Sequence, residues 1–127
     1  MTRDAIISHL ETVCEGVGLH KASAFRDTRA SNQDTFDLLW GNAESEQHDH
    51  QRALVLQPVI VRVRSVAGGD ADKARRQIDA HEVAIMTALW GGAMPTGVWI
   101  EGIDTAKEQG DGHWECNLTV ETKYLLG

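Results

Sequence analysis

Apolar positions along the chain fall into two helical patterns and several extended ones. Ile6, Ile7, Leu10, Val13, Cys14 and Val17 recur at the helical repeat, and Arg3, Asp4, Ser8, Glu11, Thr12 and Glu15 take the opposite side. Thr2 suits an N-cap, Asp4 suits the first turn, and Gly16 and Gly18 supply a stop. The next stretch, residues 19–35, is mixed, with Phe25 as a single anchor and a polar run from Arg26 to Asp34 that reads as loop. Phe36 to Trp40 (FDLLW) predicts a short strand closed by Gly41-Asn42. Residues 43–52 hold nothing apolar larger than alanine and predict an exposed loop.

A long strand follows over residues 53–66, rich in β-branched side chains. Beyond Pro58 it alternates: Val59, Val61 and Val63 face one way, Ile60, Arg62 and Arg64 the other. Pro58 cannot donate to a ladder, so it marks an edge, a bulge or a bend. Ala67-Gly68-Gly69 is a turn, and Asp70 or Asp72 caps a second helix running to about Trp90. The main apolar stripe of that helix is Ala74, Ile78, Ile85, Ala88 and Leu89. Gly97 to Ile103 predicts a strand, Asp104 to Gly112 a charged loop, and the last segment a strand. There Trp114, Cys116, Leu118, Val120, Thr122 and Tyr124 share one face, against Glu115, Asn117, Thr119, Glu121 and Lys123. The expected class is α+β: one domain over residues 1–127, with a mixed or antiparallel sheet of about four strands and two helices packed on one face.

Composition narrows the function classes. A chain of 127 residues builds one core without staples, and its net charge of −7, with no basic run, argues against binding nucleic acid through phosphates. No apolar run approaches the ~20 residues needed to cross a bilayer. The start lacks an apolar leader, so the expected place of synthesis and residence is the cytoplasm, without a membrane partner. Cys14 and Cys116 lie on different predicted elements and read as two small buried thiols, or as a disulfide if the fold brings them together.

Candidate chemistry is sparse. His48-Asp49-His50 would place two histidines on one face of a strand, a zinc-compatible spacing, but no third ligand lies close in sequence. A small metal-dependent enzyme using these residues, with His113, is the reading from a different functional class. His81-Glu82 lacks the second histidine of a zinc-protease helix, since position 85 is isoleucine, so His81 reads as a partly buried, hydrogen-bonded side chain. No phosphate loop, dinucleotide fingerprint or serine elbow is present. No catalytic residue, metal ligand or cofactor is assigned.

What remains concerns surface. Val83, Met86 and Trp90 form a second apolar stripe on helix two, which meets either the first helix or another chain. The long strand exceeds the usual ~5–6 residues and overhangs a small sheet, which invites pairing. Of the four tryptophans (Trp40, Trp90, Trp99, Trp114), at least one is expected at an interface. The candidate subunit contacts are therefore Val83, Met86 and Trp90 on the helix and Ile60, Arg62 and Arg64 on the strand.

In layout the chain resembles the tail terminator (tail-completion) family of long-tailed bacteriophages. The resemblance lies in an amphipathic helix (Ile6 to Val17), a polar stretch, a long β-branched strand (Leu54 to Val66), an Asp-capped helix (Asp70 to Trp90), a strand, an acidic loop and a closing strand (Trp114 to Tyr124). The first strand departs from that layout: family members often carry a proline there, whereas here Pro58 stands in the long strand. The resemblance implies a virion protein without catalytic activity. It implies a homo-oligomeric ring, typically a hexamer, that ends tail-tube growth and offers a surface to the head–tail connector. DNA would pass through the hole without specific binding, sliding past an acidic lumen. A head-completion or other neck protein of the same particle is the alternative.

Overall fold

The computed structural model describes residues 2–22 and 34–126, and Phe25 and most of the polar run after it lie outside them. In chain order the elements are α1 (Thr2–Gly16), β1 (His20–Lys21), β2 (Thr35–Trp40), β3 (Glu44–Gln47), β4 (Ala53–Ser65), α2 (Ala71–Gly91), β5 (Val98–Gly110) and β6 (His113–Leu126). The strands form one mixed sheet in the order β1-β2-β4-β6-β5, and β3 also pairs with β4. The class matches expectation, but the sheet has six strands among the described residues rather than about four.

Two added strands account for the count, and one expected strand is longer than its pattern predicts. Residues 44–47, expected as loop, pair antiparallel with residues 53–56 of β4. All four are exposed, so this strand is made by backbone bonding and leaves no apolar alternation to read. Residues 104–110, also expected as loop, continue β5 along β6 to a turn at Asp111-Gly112. They carry no large apolar side chain, for the same reason. The two-residue β1 pairs parallel with β2 and is too short to leave a pattern.

The core lies between one sheet face and both helices. Ile6, Leu10 and Cys14 of α1 and Ala74, Ile78, Ile85 and Leu89 of α2 are buried against Val59, Val61, Val63, Cys116, Leu118 and Val120. Both strands bury every second residue, as their alternation predicts. Asp70 caps α2 by accepting from the Lys73 amide at 3.1 Å. The corner before it has positive φ at Ala67 (49°), Gly68 (66°) and Gly69 (89°), which costs about 1 kcal/mol at the alanine.

Pro58 sits inside the sheet, not at its margin. It pairs with Glu121 of β6 on one side. On the other side β2 pairs with residues 59–64 and β3 with residues 53–56, leaving 57 and 58 in the gap between them. The Pro58 carbonyl points into this gap and accepts from the Gly41 amide at 2.8 Å. A residue's N–H and C=O lie on the same edge of a strand, so the missing N–H also falls in the gap and costs no ladder bond. Gly41 is required by this approach: a Cβ there would meet the Pro58 Cβ at 2.9 Å.

Gln57 ties the gap together. Its side chain is buried, and its amide nitrogen donates to the carbonyls of Gly41 at 2.9 Å and Pro58 at 3.0 Å. Its Oε1 accepts from the Arg3 guanidinium at 2.9 Å, and its backbone carbonyl accepts from the Thr122 hydroxyl at 2.6 Å. The start of α1, the β2–β3 connection, β4 and β6 therefore converge on one residue.

Candidate interaction surfaces

The helix layer turns one stripe of α2 to solvent. Lys73, Arg76, Ala80, Val83, Thr87 and Trp90 are all exposed and follow one another in steps of three and four, which keeps them on a single line along the helix. The N-terminal end of the line is basic and the C-terminal end apolar. Val83 is 58% and Trp90 55% exposed, high for side chains of their size. Met86 differs. It is half-buried and packs against the core, because one step of three from Val83 turns it back toward Ile85 and Leu89.

Ile60, Arg62 and Arg64 lie on the other side of the molecule, on the sheet face that neither α1 nor α2 covers. Ile60 stands between Leu39 of β2, which is exposed, and Thr119 of β6. Arg62 holds Asp37 through two bonds, one of 3.0 Å from Nε, and this pairing raises the guanidinium pKa above its ordinary value. Arg64 holds Glu115 at 2.8 Å. The two arginines thus already serve the sheet as cross-strand partners. The six residues singled out by sequence form two separate sets on opposite layers.

The same open face carries β5, whose outer edge pairs with no other strand among the described residues. Trp99, Asp104, Ala106 and Glu108 sit across from Lys123, Thr119, Asn117 and Glu115 and so share their face. Trp99 is 44% exposed. Asp104 and Glu108 make no ion pair among the described residues. On the opposite face of β5, Lys107 reaches α2, holding Asp79 at 2.9 Å and Glu82 at 3.2 Å; these two bonds, Asp79 first, raise its pKa. Glu82 is buried, which the sequence pattern did not reveal; its position between Ile78 and Ile85 on the stripe is the signal that was there.

The histidines and cysteines have local explanations. His81 bonds Asp34 at 2.6 Å with both side chains mostly buried, as expected for that position. His48 and His50 are exposed in the β3–β4 turn, where Asp49 accepts from the amides of Gln51 and Arg52, each at 2.9 Å, and from the Arg52 side chain. The Gln51 bond is the leading cause of the lowered Asp49 pKa. Among the described residues no three His, Cys, Asp or Glu side chains gather as a metal site. Cys14 and Cys116 are free thiols in the core, and burial pushes both up to about 12, helped by Glu15 near Cys14 and by Glu82 near Cys116. No described helix is long and apolar enough to cross a membrane.

No protein-family model matches the chain, and no curated protein is similar to it in sequence. Among solved structures it is similar to a chain of the "Virion of native gene transfer agent (GTA) particle", at TM-score 0.53 and 14% identity, over 92% of this chain and 84% of that one. At that identity the likeness is one of fold, and it spans nearly the whole molecule.

Proposed function

We propose that this protein is a ring-forming virion assembly protein of the tail-terminator type, capping the tail tube and meeting the head–tail connector. The observation that carries the reading is the exposure of large apolar side chains on opposite layers, Val83 and Trp90 on one side and Leu39 and Trp99 on the other. A subunit with unlike contacts on opposite sides binds its copies head to tail, and a closing rotation turns such contacts into a ring. The fold shared with a chain of a phage-like particle and the layout of the sequence support the same reading. In this role the protein needs no cofactor and no catalytic group, and its acidic character lets DNA pass through the hole.

Native mass spectrometry together with electron microscopy of tail tubes tests the proposal. The expected result is a closed homo-oligomer and added density at the tube end. A chain that stays monomeric at every concentration and leaves tube ends bare refutes it; density at the head vertex instead reassigns it to the neck. Trp90→Ala is expected to weaken assembly by about 30-fold, as for a buried interface tryptophan, while leaving thermal stability unchanged.

A further inference from the structure

We infer that the outward stripe of α2 in one copy docks along the open face of β5 in the next, matching basic to acidic ends and apolar to apolar. The inference rests on the head-to-tail reading above and names the two surfaces that meet. The first observation is a shared gradient. The stripe runs from Lys73 and Arg76 to Trp90, and the face of β5 runs from Glu108 and Asp104 to Trp99.

The second observation is length. Along a helix Trp90 lies about 21 Å from Arg76 and about 26 Å from Lys73. Along β5, with one residue taken up by the bulge between Ile100 and Gly102, Trp99 lies about 14 Å from Asp104 and about 27 Å from Glu108. With the two indoles adjacent, Arg76 falls between the two carboxylates and Lys73 falls opposite Glu108.

The third observation is that the acidic groups are unclaimed at home. The molecule's own α2 lies on the other face of the sheet and is met there by Lys107, so Asp104 and Glu108 have no cation among the described residues. The stripe in turn carries no acidic residue between Lys73 and Trp90. In a chain of net charge −7, copies repel one another unless opposite charges are placed locally, and these two surfaces supply that placement.

Charge reversal separates this arrangement from others. One variant combines Lys73→Glu with Arg76→Glu, and a second combines Asp104→Lys with Glu108→Lys. Each alone is expected to weaken self-association on the order of 100-fold by native mass spectrometry and sedimentation velocity. Mixing the two is expected to restore assemblies in which the variants alternate, and a chain with all four changes is expected to assemble alone. Every changed side chain is exposed, so thermal melts serve as the control for folding. If wild type assembles and both variants do too, the contact lies elsewhere: the inference fails while the ring reading stands. If only the helix variant fails, α2 meets another α2 and the inference is overturned. A wild-type chain that never associates sinks both.

Discussion

Replacing Gln57 by leucine tests how the sheet tolerates a proline at its centre. Leucine has similar bulk and suits a buried position, so the change removes three bonds with little else: two donated to the Gly41 and Pro58 carbonyls and one accepted from Arg3. The three partners differ in what they lose. Arg3 is exposed, recovers water, and keeps its place over the Trp40 ring at 5.3 Å. The Pro58 carbonyl keeps the Gly41 amide. The Gly41 carbonyl loses the partner that the gap supplies, and an orphaned acceptor costs about 1–3 kcal/mol. The expected loss is therefore about 2 kcal/mol, or a fall in melting temperature of about 8 °C for a domain of this size. Urea unfolding should show the loss with an unchanged slope, and exchange at the Gly41 amide should speed up. Gln57→Glu sharpens the test. A carboxylate facing two carbonyls cannot donate, so this variant should be less stable than the leucine one at neutral pH. A leucine variant within about 0.5 kcal/mol of wild type, the range of an ordinary surface change, would refute the role given to Gln57.

Other outcomes follow from the packing. Ile78→Ala should cost about 2–5 kcal/mol in denaturant unfolding, since the side chain is fully buried and leaves a cavity. Cys14 and Cys116 should resist alkylation in the folded protein and react only on unfolding. Because burial lifts each thiol from its ordinary 9.0 to about 12, stability should be flat below pH 9.0 and fall between pH 9.0 and about 12, where the unfolded chain ionises first. Lys107→Met strands the buried Glu82 and should cost about 1–2 kcal/mol, recovered in part by adding Glu82→Gln; a cycle without coupling would remove the ion pair as a stabilising contact.

The elements visible in the sequence were those that bury side chains. Periodicity marked α1, α2, β4 and β6, because each turns a regular row of apolar residues into the core. It could not mark β3 or the outer half of β5, whose ladders form through the backbone while their side chains stay in water. In the sequence Pro58 signals an edge, bulge or bend because a proline in a central strand is ordinarily disallowed. The exception depends on two neighbours sharing one edge of β4 and parting at residues 57 and 58, a relation between distant segments. At the candidate surfaces, Val83 and Trp90 were legible as apolar residues off the main stripe. Their separation from Ile60, Arg62 and Arg64 by the full thickness of the domain was not, since sequence periodicity fixes a face within an element and not which layer that element joins.

The pairing of β4 with β6 has a consequence for how the chain comes to be folded. This ladder joins Gln57 to Thr122, positions separated by 65 residues, and it is the longest in the sheet. Its bonds arrive only after a large loop has closed, an entropic cost met before any contact repays it, which favours slow collapse. During synthesis the first hundred residues leave the ribosome with their longest strand unpaired along one side. The exposed interval ends when β6 emerges, so a chain interrupted before His113 should be prone to aggregate rather than wait half-folded.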